Sequence, residues 1–550
     1  MATAFINGKI FLSGVKPGTN PAPTAPPTFA SSLVIQDSLI TAVGSSSTPA
    51  IAAALSSPTT TTVDLGGKTI LPGFVDGHMH LMLLGQSLQK LDLGPCKSLA
   101  DIQSTIRSYA AANPALPRIL CRNWMHSMTP DGVSAKDLDG LDELERPILI
   151  DTKDLHSAWC NTAGIAALGA EEWPDVPGGI IERDEAGKVT GVFSEAANIT
   201  YVWPYIASVA SMDERVAAIR AAVSAYHASG YTGMVDMAMD EGAWAAVLAL
   251  RKESGGHFGM RLSAYWLIKP SKTEAENLAQ VDRAAELARL YNSQTTPDCR
   301  VVGIKVIGDG IIDACTAGLT EPYSHNGQGA NPMWTKEELE PVVRRADEAG
   351  LQIALHAIGD ATIKMAVDVL AEWASPSRRP RMEHIELASR EDADRLGRFG
   401  ITASIQPVHA DPAILRAWPR LIGEHRCKRA FAYREFADGG APLALGSDSP
   451  TAPHSPLGNL YVGTTRRSYR EPEMGAAVNE HFALGLCEAV AAATEGAAYS
   501  CFDDGRVGRL AVGLKADFVV VDMQWEKAKL LEAKITETWF DGKKVWESEE

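Results

Sequence analysis

The sequence predicts an α/β protein: a (β/α)8 barrel, a small β-domain assembled from both chain ends, and an insertion after the first barrel strand. Three observations carry that reading. Eight short apolar runs are separated mostly by amphipathic helical patterns. Strand-like alternation with turn signals both opens and closes the chain. Histidines and an aspartate stand at the ends of four of the eight runs, where a barrel of this kind places its chemistry.

Residues 4–12 and 33–43 alternate apolar and polar positions, and residues 61–70 add another strand. The Pro/Thr/Ala-rich stretch from Pro17 to Pro27 reads as a surface loop. The eight candidate barrel strands are residues 70–76, 231–237, 260–268, 301–307, 351–357, 381–386, 401–406 and 443–448. Helical patterns at 213–229, 272–291, 336–349, 361–373 and 390–399 fit between them. The long gap after the first strand is read as an inserted subdomain, about 91–210, with strand-like pieces at 118–122 and 147–151. After residue 504, short strands return at 508–510, 517–521, 535–540 and 544–546, with Asp541-Gly542 as a hairpin turn. The expected organisation is therefore 1–70 and 505–550 as one β-domain, with the barrel from 71 to 504.

The 550 residues suffice for a large core, and the formal net charge of −17, with no Lys/Arg run, argues against a nucleic-acid partner. No apolar run reaches membrane-spanning length, and the N-terminus lacks the basic start and long apolar run of a signal peptide. The eight cysteines include no Cys-x-x-Cys pair, so no disulfide framework is expected. A cytoplasmic protein without membrane partner is the expectation; self-association as a homodimer is left open.

The first barrel run leads into Asp76-Gly77-His78-Met79-His80. Side chains two apart in an extended segment share a side, so both imidazoles can reach one point beyond the strand. His356 ends strand five, His384 ends strand six, and Asp448 follows strand eight. Imidazoles and a carboxylate gathered at one end of a barrel make a metal site. Lys305 stands in the otherwise apolar fourth strand, where an unpaired ammonium is costly. It either pairs with a carboxylate such as Asp309 or has reacted with carbon dioxide to give a carbamate that offers two oxygens to metal.

These motifs resemble the amidohydrolase superfamily, in the type-3 branch that includes N-substituted formamide deformylase. The resemblance rests on Leu71-Pro72-Gly73-Phe74-Val75-Asp76-Gly77-His78-Met79-His80, Lys305 to Gly310, His356 to Asp360, Glu383-His384, Gly446-Ser447-Asp448 and the closing Gly513 to Val520. Two departures are visible: Gly308-Asp309-Gly310 replaces the usual Ala-Asp-Gly, and Trp124 is followed by Met125-His126 where an acidic residue is usual. The resemblance implies that the terminal β-domain is a β-sandwich. It also implies one or two divalent metal ions, zinc first. His78, His80 and Asp448 would hold one, His356 and His384 the other, with carbamylated Lys305 bridging.

The activity so implied is hydrolysis of a non-peptide amide-type C–N bond in a small molecule. Asp448 would serve as general base and then acid, and the second metal or a donor such as His156 would polarise the carbonyl. The alternatives are an ester or lactone hydrolase, and a barrel that has lost turnover and serves in binding or regulation. Trp124, His156, Trp159 and Glu195 lie in the insertion, expected to shape an apolar pocket over the barrel mouth, although core packing accounts for the two tryptophans equally well. Asp309, beside the lysine strand, and Tyr323, in the loop after it, complete the substrate-binding candidates.

Overall fold

The computed structural model describes residues 2–13, 16, 18–153, 157–176 and 179–549. The chain forms two compact units, residues 1–81 with 223–550, and residues 82–222.

The first unit contains eight parallel strands in strict sequence order: Phe74–Met79, Tyr231–Met239, Arg261–Ile268, Cys299–Ile307, Gln352–Ala357, Arg381–His384, Thr402–Ile405 and Leu443–Leu445. They are called strands one to eight below. Nearly every position in them is buried, which is why they read as apolar runs rather than as alternations. The ring closes where Asp448 N–H donates to the His78 carbonyl (2.7 Å) and His80 N–H to that of Ser449 (2.9 Å). Strand eight comes close to strand one here, and the approach demands glycine. A Cβ on Gly77 would lie 2.6 Å from the Leu445 carbonyl oxygen, and one on Gly446 would lie 2.5 Å from the His78 nitrogen.

Helices Glu274–Leu290, Lys336–Glu348 and Asp360–Trp373 fall between strands as the periodicity predicts. The first two begin with reciprocal caps, Thr273 with Glu276 and Thr335 with Glu338. No helix among the described residues is long and apolar enough to cross a membrane.

One expectation is corrected at the entry to the barrel. The apolar run 70–76 is not one strand. Thr69–Pro72 belongs to a separate six-stranded sheet, and the barrel starts at Phe74. Gly73 is the pivot: its N–H donates to the Asp517 carbonyl, and a side chain there would run into Thr232. In that sheet Thr69–Pro72 lies between Lys9–Leu12 from the N-terminus and Phe518–Asp522 from the C-terminus. A four-stranded sheet of Leu39–Gly44, Ser32–Gln36, Ala2–Ile6 and Thr60–Asp64 accompanies it. Phe5 of that sheet meets Phe518 and Trp539 edge-on, both at 5.2 Å. Residues 508–510 form no strand.

The second unit holds a six-stranded mixed sheet: Gly179–Arg183, Val189–Glu195, Ser157–Cys160, Ile148–Thr152, Ile119–Trp124 and Leu91–Asp92. Its core includes Trp124, Trp159, Ile106, Ile119 and Ile150.

Candidate metal centre

The site is built where strands one, five, six and eight end. Asp76, fully buried in strand one, braces the first histidine against the last strand. Its carboxylate accepts from the backbone N–H of His78 (3.2 Å), from Ser447 N–H (2.8 Å), from Ser447 Oγ (2.6 Å) and from Tyr226 Oη (2.8 Å). Burial pushes this carboxyl up to about 6 in spite of those donors.

His78 Nδ1 lies 2.6 Å from Glu383 Oε2, and Glu383 is gripped by Arg381 at 2.6 Å. A carboxylate on Nδ1 takes the ring proton there and leaves the Nε2 lone pair free. That Nε2 is buried, has no hydrogen-bond partner among the described residues, and lies 3.4 Å from Asp448 Oδ1. His80 Nε2 lies 3.0 Å from the same oxygen. His384 packs on both His78 and His356, with ring centroids 4.8 and 4.4 Å apart.

Three more buried polar atoms here have no hydrogen-bond partner among the described residues: His356 Nε2, His384 Nδ1 and Asp448 Oδ1. Buried lone pairs without a partner are costly unless something binds them. One ligand atom each from His78, His384 and Asp448 lies within 4.8 Å of the other two. Imidazoles held neutral near pH 7 and an ionised carboxylate are Lewis-base donors, so the set fits a divalent cation. Burial, with the Lys305 charge second, pushes His78 down to about 4 and His356 down to about 3, so both rings are neutral near pH 7. Burial opposes the charged form of Asp448. The close approach of His80 and the neighbouring imidazoles overcome that and hold its carboxylate well below the usual range. Asp448 and His384 both have left-handed backbone, φ 57° and 74°, strain that concentrates at functional sites.

Lys305 is 2% exposed, and no hydrogen bond or ion pair engages its ammonium among the described residues. Burial pushes its pKa down to about 8. The expected pairing with Asp309 is absent. Asp309 instead accepts from the backbone N–H groups of Gly318 (2.9 Å), Ile358 (3.0 Å) and Gly359 (2.9 Å), pinning the loop after strand four to the end of strand five. It is fully buried, and its Oδ1 also lies 3.5 Å from His356 Nε2. Tyr323, the other expected substrate contact from this region, is 1% exposed, and its hydroxyl donates to the Ala317 carbonyl.

Trp124 and Trp159 pack on each other at 5.3 Å inside the second unit. Their indole N–H groups donate to Thr129 Oγ1 and to the Ser134 carbonyl, and both rings belong to the core of that unit. Glu195 ends the strand Val189–Glu195 in the same unit with φ 54°. His156, the expected carbonyl polariser, lies outside the described residues.

Three residues given no role from the sequence take part in this site. Arg381 orients Glu383, which orients His78. His409, in the short helical turn Pro407–Ala410 after strand seven, sets Nε2 3.5 Å from Asp448 Oδ2. Its signal in the sequence was its place just after the seventh apolar run.

A model of the amidohydrolase family matches residues 61–546. The Bacillus subtilis (strain 168) protein YtcJ, named as an amidohydrolase, is 28% identical over 503 residues, spanning 89% of this chain and 91% of its own. The N-substituted formamide deformylase of Arthrobacter pascens is 23% identical over 504 residues, spanning 88% and 90%. The crystal structure of an uncharacterised metal-dependent hydrolase from Pyrococcus furiosus superposes with a TM-score of 0.77 at 25% identity, covering 96% of this chain and 100% of its own. With the barrel, the terminal β-sheets and the histidine–aspartate cluster all in place, this chain belongs to the amidohydrolase family of metal-dependent hydrolases.

Proposed function

We propose that this hydrolase cleaves a non-peptide amide-type C–N bond in a small molecule, with Asp448 as the proton-transfer group. The observation that carries the reading is the Asp448 carboxylate: buried, ionised, with Oδ1 3.0 Å from His80 Nε2 and 3.4 Å from His78 Nε2, and with His384 in the same cluster. His78, His80 and Asp448 are the residues to hold one divalent ion, zinc first, with His356, His384 and a carbamylated Lys305 available to a second. An ion so held supplies Lewis acidity, which makes water a nucleophile near neutral pH and polarises a carbonyl.

The protein's own groups do the rest. Glu383 fixes the His78 tautomer, and Arg381 keeps Glu383 ionised, its pKa well below the usual range despite burial. Asp448 accepts a proton from the attacking water and then delivers it to the leaving nitrogen, without which an amine leaves poorly. The buried Lys305 amine, once neutral, adds to carbon dioxide with formation of an N–C bond and loss of one proton. That converts an unpaired cation into an anion with two free oxygens.

The deformylase relative supports the amide reading through its printed name, which applies to that protein. The test is a panel of N-formyl, N-acyl and cyclic amides, esters and lactones, with Asp448→Asn as the blank. Turnover of esters alone, with every amide inert, overturns the bond assignment.

A further inference from the structure

A second set of Lewis bases converges beside the first. His384 closes strand six, Glu386 follows two residues later, and His409 follows strand seven. One ligand atom from each lies within 4.8 Å of the other two. Between the first two, His384 and Ile385 hold left-handed backbone, φ 74° and 56°. Two adjacent non-glycine residues in that region are strained and persist only where surroundings enforce them.

Glu386 is 6% exposed and meets no Lys or Arg among the described residues. Its ion-pair partner is His409, with Nδ1 3.5 Å from Oε1. That is long for a hydrogen bond, which prefers about 2.7–3.2 Å. Two donors each bonded to one tetrahedral ion at about 2.0–2.1 Å lie roughly 3.3 Å apart, so the spacing suits co-ligands. The His409 ring is parallel to that of His384, with centroids 5.8 Å apart and planes 2° apart.

We propose that His384, Glu386 and His409 Nδ1 form a second divalent-cation site, distinct from the one that the family resemblance builds on Lys305, His356 and His384. The proposal rests on the metal-centre reading above. Two imidazoles and a carboxylate are a sufficient donor set for zinc or a neighbouring first-row ion. The alternative set is incomplete as the chain stands, because a lysine ammonium has no lone pair and leaves only His356 and His384. His409 Nε2 lies 3.5 Å from Asp448 Oδ2, so an ion on Nδ1 stands one imidazole ring away from the proton-transfer group. His384 is common to both positions, so filling one changes affinity at the other.

Metal counting tests this directly. The full chain is stripped, reloaded with Zn2+ or Co2+ in carbon-dioxide-free buffer, and analysed by mass spectrometry and by the cobalt visible spectrum. Wild type and Lys305→Met are expected to take up about two equivalents, whereas Glu386→Gln and His409→Gln take up about one and lose part of the cobalt bands. Circular dichroism checks that each variant folds. Anomalous scattering from zinc-loaded wild-type crystals keeps the test decisive if a variant does not. A peak among His384, Glu386 and His409 is expected, and a second peak only at Lys305 and His356 overturns the site. Either Gln variant retaining both ions overturns it too. Wild type binding one equivalent removes the second site and spares the first; wild type binding none removes both.

Discussion

His80 Nε2 and Asp448 Oδ1 lie 3.0 Å apart, although one residue follows the first barrel strand and the other follows the last. The contact straddles the seam of the barrel, where His80 N–H and Asp448 N–H also close the ring. The candidate metal centre and the barrel closure therefore depend on the same few residues. Asp448→Asn keeps the shape and the seam but removes the base. Its kcat is expected to fall by about 10²–10⁴-fold with an unchanged circular dichroism spectrum. A rate near wild type would take Asp448 out of the mechanism.

Glu383 has two jobs, holding His78 and neutralising Arg381, which is itself 0% exposed. Glu383→Gln is expected to weaken metal binding by about 10–100-fold through the loss of a ligand-orienting carboxylate. It should also destabilise the metal-free protein by about 3–5 kcal/mol, because Arg381 is left as a buried unpaired charge. Chelator competition and urea unfolding measure the two effects separately. Unchanged zinc affinity would mean that Glu383 serves the fold alone.

Lys305 carries a pH signature. Its folded pKa is down at about 8, against an ordinary value of 10.5. Between those values the unfolded chain binds a proton that the folded chain does not. The stability of the metal-free, carbon-dioxide-free protein is therefore expected to rise as pH rises from about 8 to 10.5. Lys305→Met should remove that rise and, below pH 8, stabilise the metal-free fold by about 1–4 kcal/mol, since an apolar chain of similar volume replaces an unpaired cation. Thermal melts across the pH range decide it; a variant less stable than wild type at pH 7 contradicts the prediction.

Arg261, at the base of strand three, ties the barrel to the sheet formed by the chain ends. Its Nε lies 2.7 Å from Asp517 Oδ2 and its Nη2 lies 2.8 Å from Asp541 Oδ1. Asp517→Asn is expected to cost about 3–5 kcal/mol of stability, with activity per folded molecule unchanged because the pair takes no part in the metal centre. Denaturant titration with activity on the surviving fraction tests this. A large drop in kcat without loss of stability would point to a longer-range coupling.

Much of the architecture was legible because period and composition report burial directly. Strands three, four and five start and stop within two residues of the apolar runs that predicted them, since a parallel strand covered on both faces leaves a continuous apolar record. The entry strand was misjudged for the same reason. Thr69 to Val75 is apolar throughout, so nothing in hydrophobicity marks the point where the chain passes from one sheet to the next. Flanking the lysine strand marks Asp309 and Tyr323 in the sequence, but only the folded chain shows that both bond to nearby backbone groups. Glu386 and His409 went unassigned because a residue beyond a strand end points wherever the loop turns it, and loop direction has no period to read.

From the amino-acid order alone came the kind of elements, their succession, and which residue types could bind a cation. Those follow from local preferences and from the placement of polar groups at the ends of apolar segments. Which imidazole faces which carboxylate, which lone pairs remain unused, and that Glu383, Glu386 and His409 share the neighbourhood of Asp448 were decided only when the ring closed. Closure brings strand ends from remote parts of the chain within a few ångströms, and separations of that size are properties of packing rather than of sequence spacing.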